Sequence, residues 1–586
     1  MRRELLVLVF AILGSVSGCH ESHNSAGTSR ATASADPDAS QSSTQHGTPL
    51  GQTAMAAPTT IAEWARGAML FPGLGNFHRK ITSSSPEAQK YFDQGLRFAW
   101  AFNHDEATRS FAKAVELDPK CTMCFWGVSL TVGPNYNLPF MVKERATVAW
   151  EALGKARSNA AQASAVEQAL IAALAKRYPT AQPLDSSNMG PVLTAYARAM
   201  KGVAAQFSQD LDVQTLYVEA MMTVNAWKLW TPDGKPAPGT EEIVATLEAV
   251  LTHDPEHPGA NHYLVHAIEA SPHPERAVAA AERLKALMPA AGHLLHMPAH
   301  IMQRIGRYED AAEANRRGAV ADERYVELTK PLDYYPVAYT AHNYQFLAYS
   351  SAMEGRKAET LEAVKNSRKV VSDEMLLAMP GMDWYLAESY AALVRFGLWD
   401  EMLVMPAPGP RLPALTGGYL YGRGFALAAK GRLEEARRTL VELQQLADTS
   451  PADAVAGQNT VKDVLGVAVA ILQARIAAAE NRSSEAISKL RQAVAAEDRL
   501  AYDEPKDWFF PARHLLGTQL LQAGKLSEAE SVYREDLKQN PANGWALYGL
   551  SVALKAQGKT TEAAQVARQF QAAWRYADVT LAASAF

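Results

Sequence analysis

Cysteine is nearly absent, with three in 586 residues, so no disulfide framework can hold this chain together. Basic charge is not in excess either. The formal net charge of −5 falls to −6 without residues 1–18, which carry Arg2, Arg3 and Glu4. No basic stripe is interleaved with aromatics, so nucleic acid is not an expected partner. No apolar run reaches the ~20 residues that a spanning helix needs, and no alternating apolar run argues for a strand. Nucleophile elbow, phosphate loop and dinucleotide fingerprint are all missing. His266-Ala267-Ile268-Glu269 is not HExxH, so a zincin-type peptidase has no support. Apolar residues make up 48% of the chain, ample for burial, and the length allows several domains or one long array.

The N-terminus reads as a leader. Arg2-Arg3 precede an apolar stretch from Leu5 to Leu13, too short to cross a bilayer. Val16-Ser17-Gly18-Cys19 follows and resembles a bacterial lipobox. That resemblance implies a lipoprotein signal peptide over 1–18, a lipid anchor on Cys19 and a place in the bacterial cell envelope facing the periplasm. His20 is not the Asp of an inner-membrane retention signal, which favours the outer membrane; ordinary secretory cleavage is the alternative. Residues 19–60 are Ser, Thr, Ala, Gly and Gln with hardly an aromatic, which predicts a disordered tether.

Self-similarity organises the rest. From Ala88, residues Gly95, Ala107, Phe111, Ala114 and Pro119 fall at offsets 8, 20, 24, 27 and 32 of a 34-residue unit. From Phe510, the residues Gly517, Ala529, Tyr533 and Pro541 repeat that spacing, and a further unit starts at Gly544. Looser units begin at Pro258, Gly292, Ala341 and Gly417, and Trp230 to Gly239 is a turn-rich insertion. These positions resemble the tetratricopeptide repeat, where small residues let paired helices approach and proline ends the second helix. The resemblance implies an all-α solenoid of TPR-like helix-turn-helix repeats. Its expected parts are an N-terminal region over 61–257, histidine-rich repeats over 258–365 and C-terminal repeats over 366–586. HYLVHAIEAS, GHLLHMPAHI and DEPKDWFFPARHLLG look like a large group of bacterial repeat proteins, a likeness that supplies no reaction.

What the chain has in unusual density is histidine. Nine of its 15 histidines lie between His253 and His342. His262 and His266 are four apart, as are His296 and His300, and the pairs are 34 residues from each other. Spacings of three and four stack side chains on one helical face. In the phase of the repeat, His262, His266 and Glu269 take offsets 5, 9 and 12. His293, His296 and His300 take offsets 2, 5 and 9, and His342 takes offset 2. The resemblance makes these the offsets that face the concave groove. Neighbouring helices lie about 8–10 Å apart, so His262, His266, Glu269, His293, His296, His300 and His342 could share one or two transition-metal ions. Imidazole suits zinc, copper, nickel and iron, and Met297 and Met302 tilt the choice toward copper. A metal-free groove recognising a peptide or glycan is the competing reading, and a purely packed role the third. Pro298 removes a helical hydrogen bond, which predicts that His293 and His296 sit in a turn before a shortened helix.

Other candidates are weaker. Cys121 and Cys124 bridge two repeats, where a local disulfide is expected and a thiolate metal site is the alternative. Trp126 and Asn135 fall where the first groove surface should open, as ligand contacts. Arg513 and His514 gather near Asp503 and Glu504 as further ligand contacts; Arg513 could clamp a carboxylate or phosphate, or bridge to Asp503 or Glu504. The reading that follows is an anchored scaffold whose concave groove binds a protein or peptide, touching membrane only through its lipid. The alternative is a transition-metal-binding protein, with copper or zinc as cofactor, in which the histidine cluster leaves an enzyme possible.

Overall fold

Paired helices account for nearly all of the structure, a computed structural model that describes residues 58–180, 189–331, 335–379, 381–409 and 411–586. The leader, Cys19 and the tether up to residue 57 lie outside the described residues. The expected all-α solenoid is what the chain forms. Among the described residues the exceptions are an isolated bridge between Trp230 and Pro236 and a hairpin of Val455–Ala456 with Asn459–Thr460. That hairpin is a small correction, since no strand was expected; two residues per strand are too few to show any alternation. No helix among the described residues is long and apolar enough to cross a membrane.

The strong end repeats pack by a single device. Helices Pro86–Trp100 and His104–Leu117 form the first pair. Ser85 caps the first of them, its side chain accepting from the Ala88 amide, with Pro86 in the first turn. Phe111 is fully buried between two glycines; a Cβ on Gly95 or Gly127 would lie 2.6 or 2.5 Å from its ring. Far along the chain, Tyr533 sits in the same way between Gly517 and Gly549, where a Cβ would approach to 2.3 or 2.2 Å. The small positions therefore face an aromatic ring from a neighbouring helix.

Three further observations show how the stack closes on itself. Trp545 donates to the Ala352 carbonyl at 2.7 Å, and Tyr349 stacks on Phe510 with planes 5° apart. Gly306, at φ +77°, leaves room for the Pro541 carbonyl, which a Cβ would meet at 2.4 Å. The C-terminal repeats thus lie against the central ones. An apolar core runs without a break from Trp64 to Phe346, across position 258. The segment between helices Ser483–Glu497 and Ala512–Gln522 reaches the histidine repeats.

The shortened helix expected after Pro298 is present, Pro298–Arg304, with a turn at Met297, but His293 and His296 lie in the short helix before that turn and not in it. Helices Gly292–His296 and Pro298–Arg304 abut through Met297, whose φ of −50° and ψ of −34° are helical. Proline sits in the first turn of the second helix, where its missing N–H is tolerated, and Met297 keeps helical dihedrals. His293, His296 and His300 therefore keep one helical face.

Candidate metal centre

Helix Pro258–Ile268 delivers His262 and His266, and Glu269 caps its end. The abutting helices from Gly292 to Arg304 deliver His293, His296 and His300, and helix Ala341–Met353 delivers His342. Glu504 arrives from the segment before Ala512. All seven residues expected to bind metal are brought together, but not along an open groove. His262, His266, His293, His296 and His300 are between 0% and 5% exposed, and Glu269 is 2%. The reading of these imidazoles as a groove surface is corrected here: Phe102, Tyr136 and Trp227 pack against His262 and His266, and Glu504 against His300.

Three sets of donors come within 4.8 Å of one another: His262 with His266 and His293; His296 with His300 and His342; and Glu269 with His300 and Glu504. Ring orientation is set by outer partners. His262 Nδ1 donates to the Trp100 carbonyl at 2.6 Å, which leaves the Nε2 lone pair facing His293 Nε2 at 3.1 Å. His296 Nδ1 donates to Asn315 Oδ1 at 2.6 Å, and its Nε2 faces His300 Nε2 at 2.8 Å. Asn315 cannot turn over, because its amide nitrogen donates to the Ala311 carbonyl at 2.7 Å. An imidazole whose far nitrogen is tied to an oxygen acceptor is the common arrangement behind a metal-bound histidine. Two nitrogens at about 2.0–2.1 Å from one ion stand roughly 2.9–3.4 Å apart at right-angle to tetrahedral geometry, close to the separations seen.

Charge follows burial. Burial and neighbouring imidazoles hold His262, His293 and His296 well below the ordinary imidazole range. Burial also lowers His266, and takes His342 down to about 3. These rings are neutral and carry lone pairs. His300 goes the other way. Burial would lower it, but Glu269 and Glu504 outweigh that and raise it to about 10. Its Nδ1 lies 2.9 Å from Glu269 Oε2 and 2.5 Å from Glu504 Oε2. Burial pushes Glu504 up to about 7, whereas His266 and His300 overcome burial at Glu269 and draw it down to about 2.

Aromatic rings seal the centre. Phe102 is fully buried at φ +57°, a sparsely populated conformation for a side chain of its size. Its ring lies 4.4 Å from His262, 5.4 Å from His266 and 5.7 Å from His293. Phe346 stands 4.6–4.8 Å from His296, His300 and His342.

No protein-family model matches the chain, and neither does any curated protein. Among solved structures, human IFIT1 as a dimer with m7Gppp-AAAA is similar over 77% of this chain and 90% of its own, at 12% identity and a TM-score of 0.30. The Cut9–Hcn1 hetero-tetramer of the APC/C covers 80% and 76% at 14% identity and 0.30. Yeast Tom70 covers 83% and 99% at 13% identity and 0.28.

The remaining candidates are placed elsewhere. Cys121 and Cys124 are bonded to each other. Trp126 is 1% exposed in a wholly buried helix, Thr122–Thr131, and is corrected from ligand contact to packing. Asn135 is 4% exposed, its Oδ1 spent on the amides of Asn137 and Leu138, so it shapes a turn rather than a binding surface. Arg513 pairs with both oxygens of Asp498 at 2.7 Å, not with Asp503 or Glu504, which are turned inward. His514 is sealed between Asp536 at 2.9 Å and Arg395 at 3.0 Å, and contacts no open surface. Two contributors to the centre had no strong signal in the sequence. Glu504 lies in a loop with no helical phase, and Asn315 is one polar residue on a long helix.

Proposed function

We propose that this protein binds transition-metal ions in its buried histidine centre. The observation that carries this reading is the set of ligand-capable atoms without hydrogen-bond partners there: His266 Nε2 and both oxygens of Glu504. Leaving such groups unpaired costs about 1–3 kcal/mol each, and ions bound at the two sets would satisfy them. His262, His266 and His293 make a three-imidazole set, as do His296, His300 and His342. Either suits zinc or copper and leaves a further coordination position for water or another ligand. Elemental analysis of protein purified without a His tag tests this. The expectation is bound zinc or copper near stoichiometric amounts, or uptake on reconstitution. Less than about 0.1 equivalent, with no gain on reconstitution, would refute it.

A second reading, a protein-binding scaffold, is supported away from the histidines. Helix Tyr308–Thr329 and the segment around Phe71 to Leu74 border a groove of about 690 Å³. Val320 and Leu328 are 67% and 51% exposed beside it. Exposed apolar surface of this kind suits a partner. Val320→Glu should abolish capture of an envelope partner; an unchanged partner set counts against that surface. The proposed anchor has its own check: Cys19→Ser should release the protein from membranes, and continued membrane association would contradict it.

A further inference from the structure

The donor atoms of His300 point in two directions. Nε2 faces His296 Nε2 at 2.8 Å, in the set that includes His342. Nδ1, on the opposite side of the ring, faces Glu269 Oε2 at 2.9 Å and Glu504 Oε2 at 2.5 Å. Neither carboxylate contact has the alignment of a hydrogen bond, and both Glu504 oxygens are buried without a partner. A carboxylate kept only as a counter-charge would be expected to take an aligned N–H···O bond, the stronger form of such a contact. Glu269 also spans two neighbours, since its Oε1 accepts from His266 Nδ1 at 3.2 Å.

Resting on the metal-binding reading above, we infer that His300 is a bridging ligand. Its Nε2 serves an ion held with His296 and His342, and its Nδ1 serves a second ion held with Glu269 and Glu504. The carboxylate position is thus a separate site, of a harder donor class than the two imidazole sets. Loading both positions forms two metal–nitrogen bonds and displaces to solvent the protons the ring carries on its nitrogens, with no change of oxidation state. The ring is then an imidazolate joining the two ions, and the centre takes three ions in all: one at His262, His266 and His293, and two joined through His300. The aromatic rings of Phe102 and Phe346 shield the arrangement from bulk water.

The test loads the metal-free full chain with copper(II) and compares bound copper, by elemental analysis, with the integrated paramagnetic resonance intensity. Two copper(II) ions joined by an imidazolate couple their spins and lose signal. Wild type should therefore show about one spin for three ions bound, from the copper at His262, His266 and His293. Glu504→Gln should bind one ion fewer and recover full intensity per copper. Copper bound with full intensity in wild type overturns the bridge while leaving metal binding intact. So does Glu504→Gln with uptake and coupling unchanged. No copper bound at all refutes the metal-binding reading itself, and the bridge with it. Should Glu504→Gln fail to fold, the wild-type spin count alone decides.

Discussion

Replacing His300 by Gln removes a buried cation of similar size and leaves Glu269 and Glu504 without it. Raising an imidazole from 6.5 to about 10 corresponds to about 5 kcal/mol of preference for the charged form, at 1.36 kcal/mol per tenfold. Breaking a buried pair by deleting one partner costs a similar amount, about 3–5 kcal/mol. For chelator-treated protein near neutral pH, His300→Gln should lose about 4 kcal/mol of unfolding free energy. The pH dependence has two arms. Because His300 is raised, its contribution is fully present below about 6.5 and fades as pH rises through about 10. Because Glu269 is depressed, its contribution is present above about 4.3 and fades as pH falls toward about 2. The deficit of the variant should peak between these limits and shrink on both sides. Urea unfolding followed by tryptophan emission, at several pH values, measures it. An equal deficit at pH 6 and above pH 10 would mean that lost packing, not lost charge, is responsible.

Three further outcomes follow from named contacts. Gly549→Ala drives a methyl into the Tyr533 ring and should cost about 1–3 kcal/mol; an unchanged melting temperature would show that the ring can yield. Arg304 donates to the Glu269 carbonyl and to the Ser271 carbonyl at 3.2 Å, and covers the Tyr502 ring. Arg304→Ala should therefore weaken metal at the carboxylate position by roughly 10–100-fold, read by competition with a chromophoric chelator; unchanged affinity would remove Arg304 from the support of the centre. Reducing Cys121–Cys124, whose loop is very short, should cost no more than about 2 kcal/mol; a larger shift between oxidised and reduced melts would contradict a purely local role.

The helical repeats were legible because glycine, alanine and aromatic positions recur at spacings that only paired helices require, as Phe111 and Tyr533 show between their glycines. The convergence of His262, His266, His293, His296, His300 and His342 was legible for the same reason: repeat phase fixes which face a residue takes. Burial of that face was not, because the cover comes from distant residues such as Phe102, Tyr136, Trp227 and Glu504, and nothing in a repeat's own phase reports what a distant loop will rest on. Trp126 and Asn135 were misread because a place in the repeat gives a direction and not the neighbour standing there, whereas Arg513 does clamp a carboxylate, that of Asp498 rather than Asp503 or Glu504.

Glu504 is more than 150 residues downstream of His342, the last of the clustered histidines. A nascent chain with all six imidazoles already emerged still lacks this carboxylate. The donor set is completed only after the segment carrying Glu504 has been synthesised and has reached His300. An ion at the proposed carboxylate position would therefore report that the chain has been made and docked as far as residue 504, and a product truncated before it would be told apart by the ion it fails to keep.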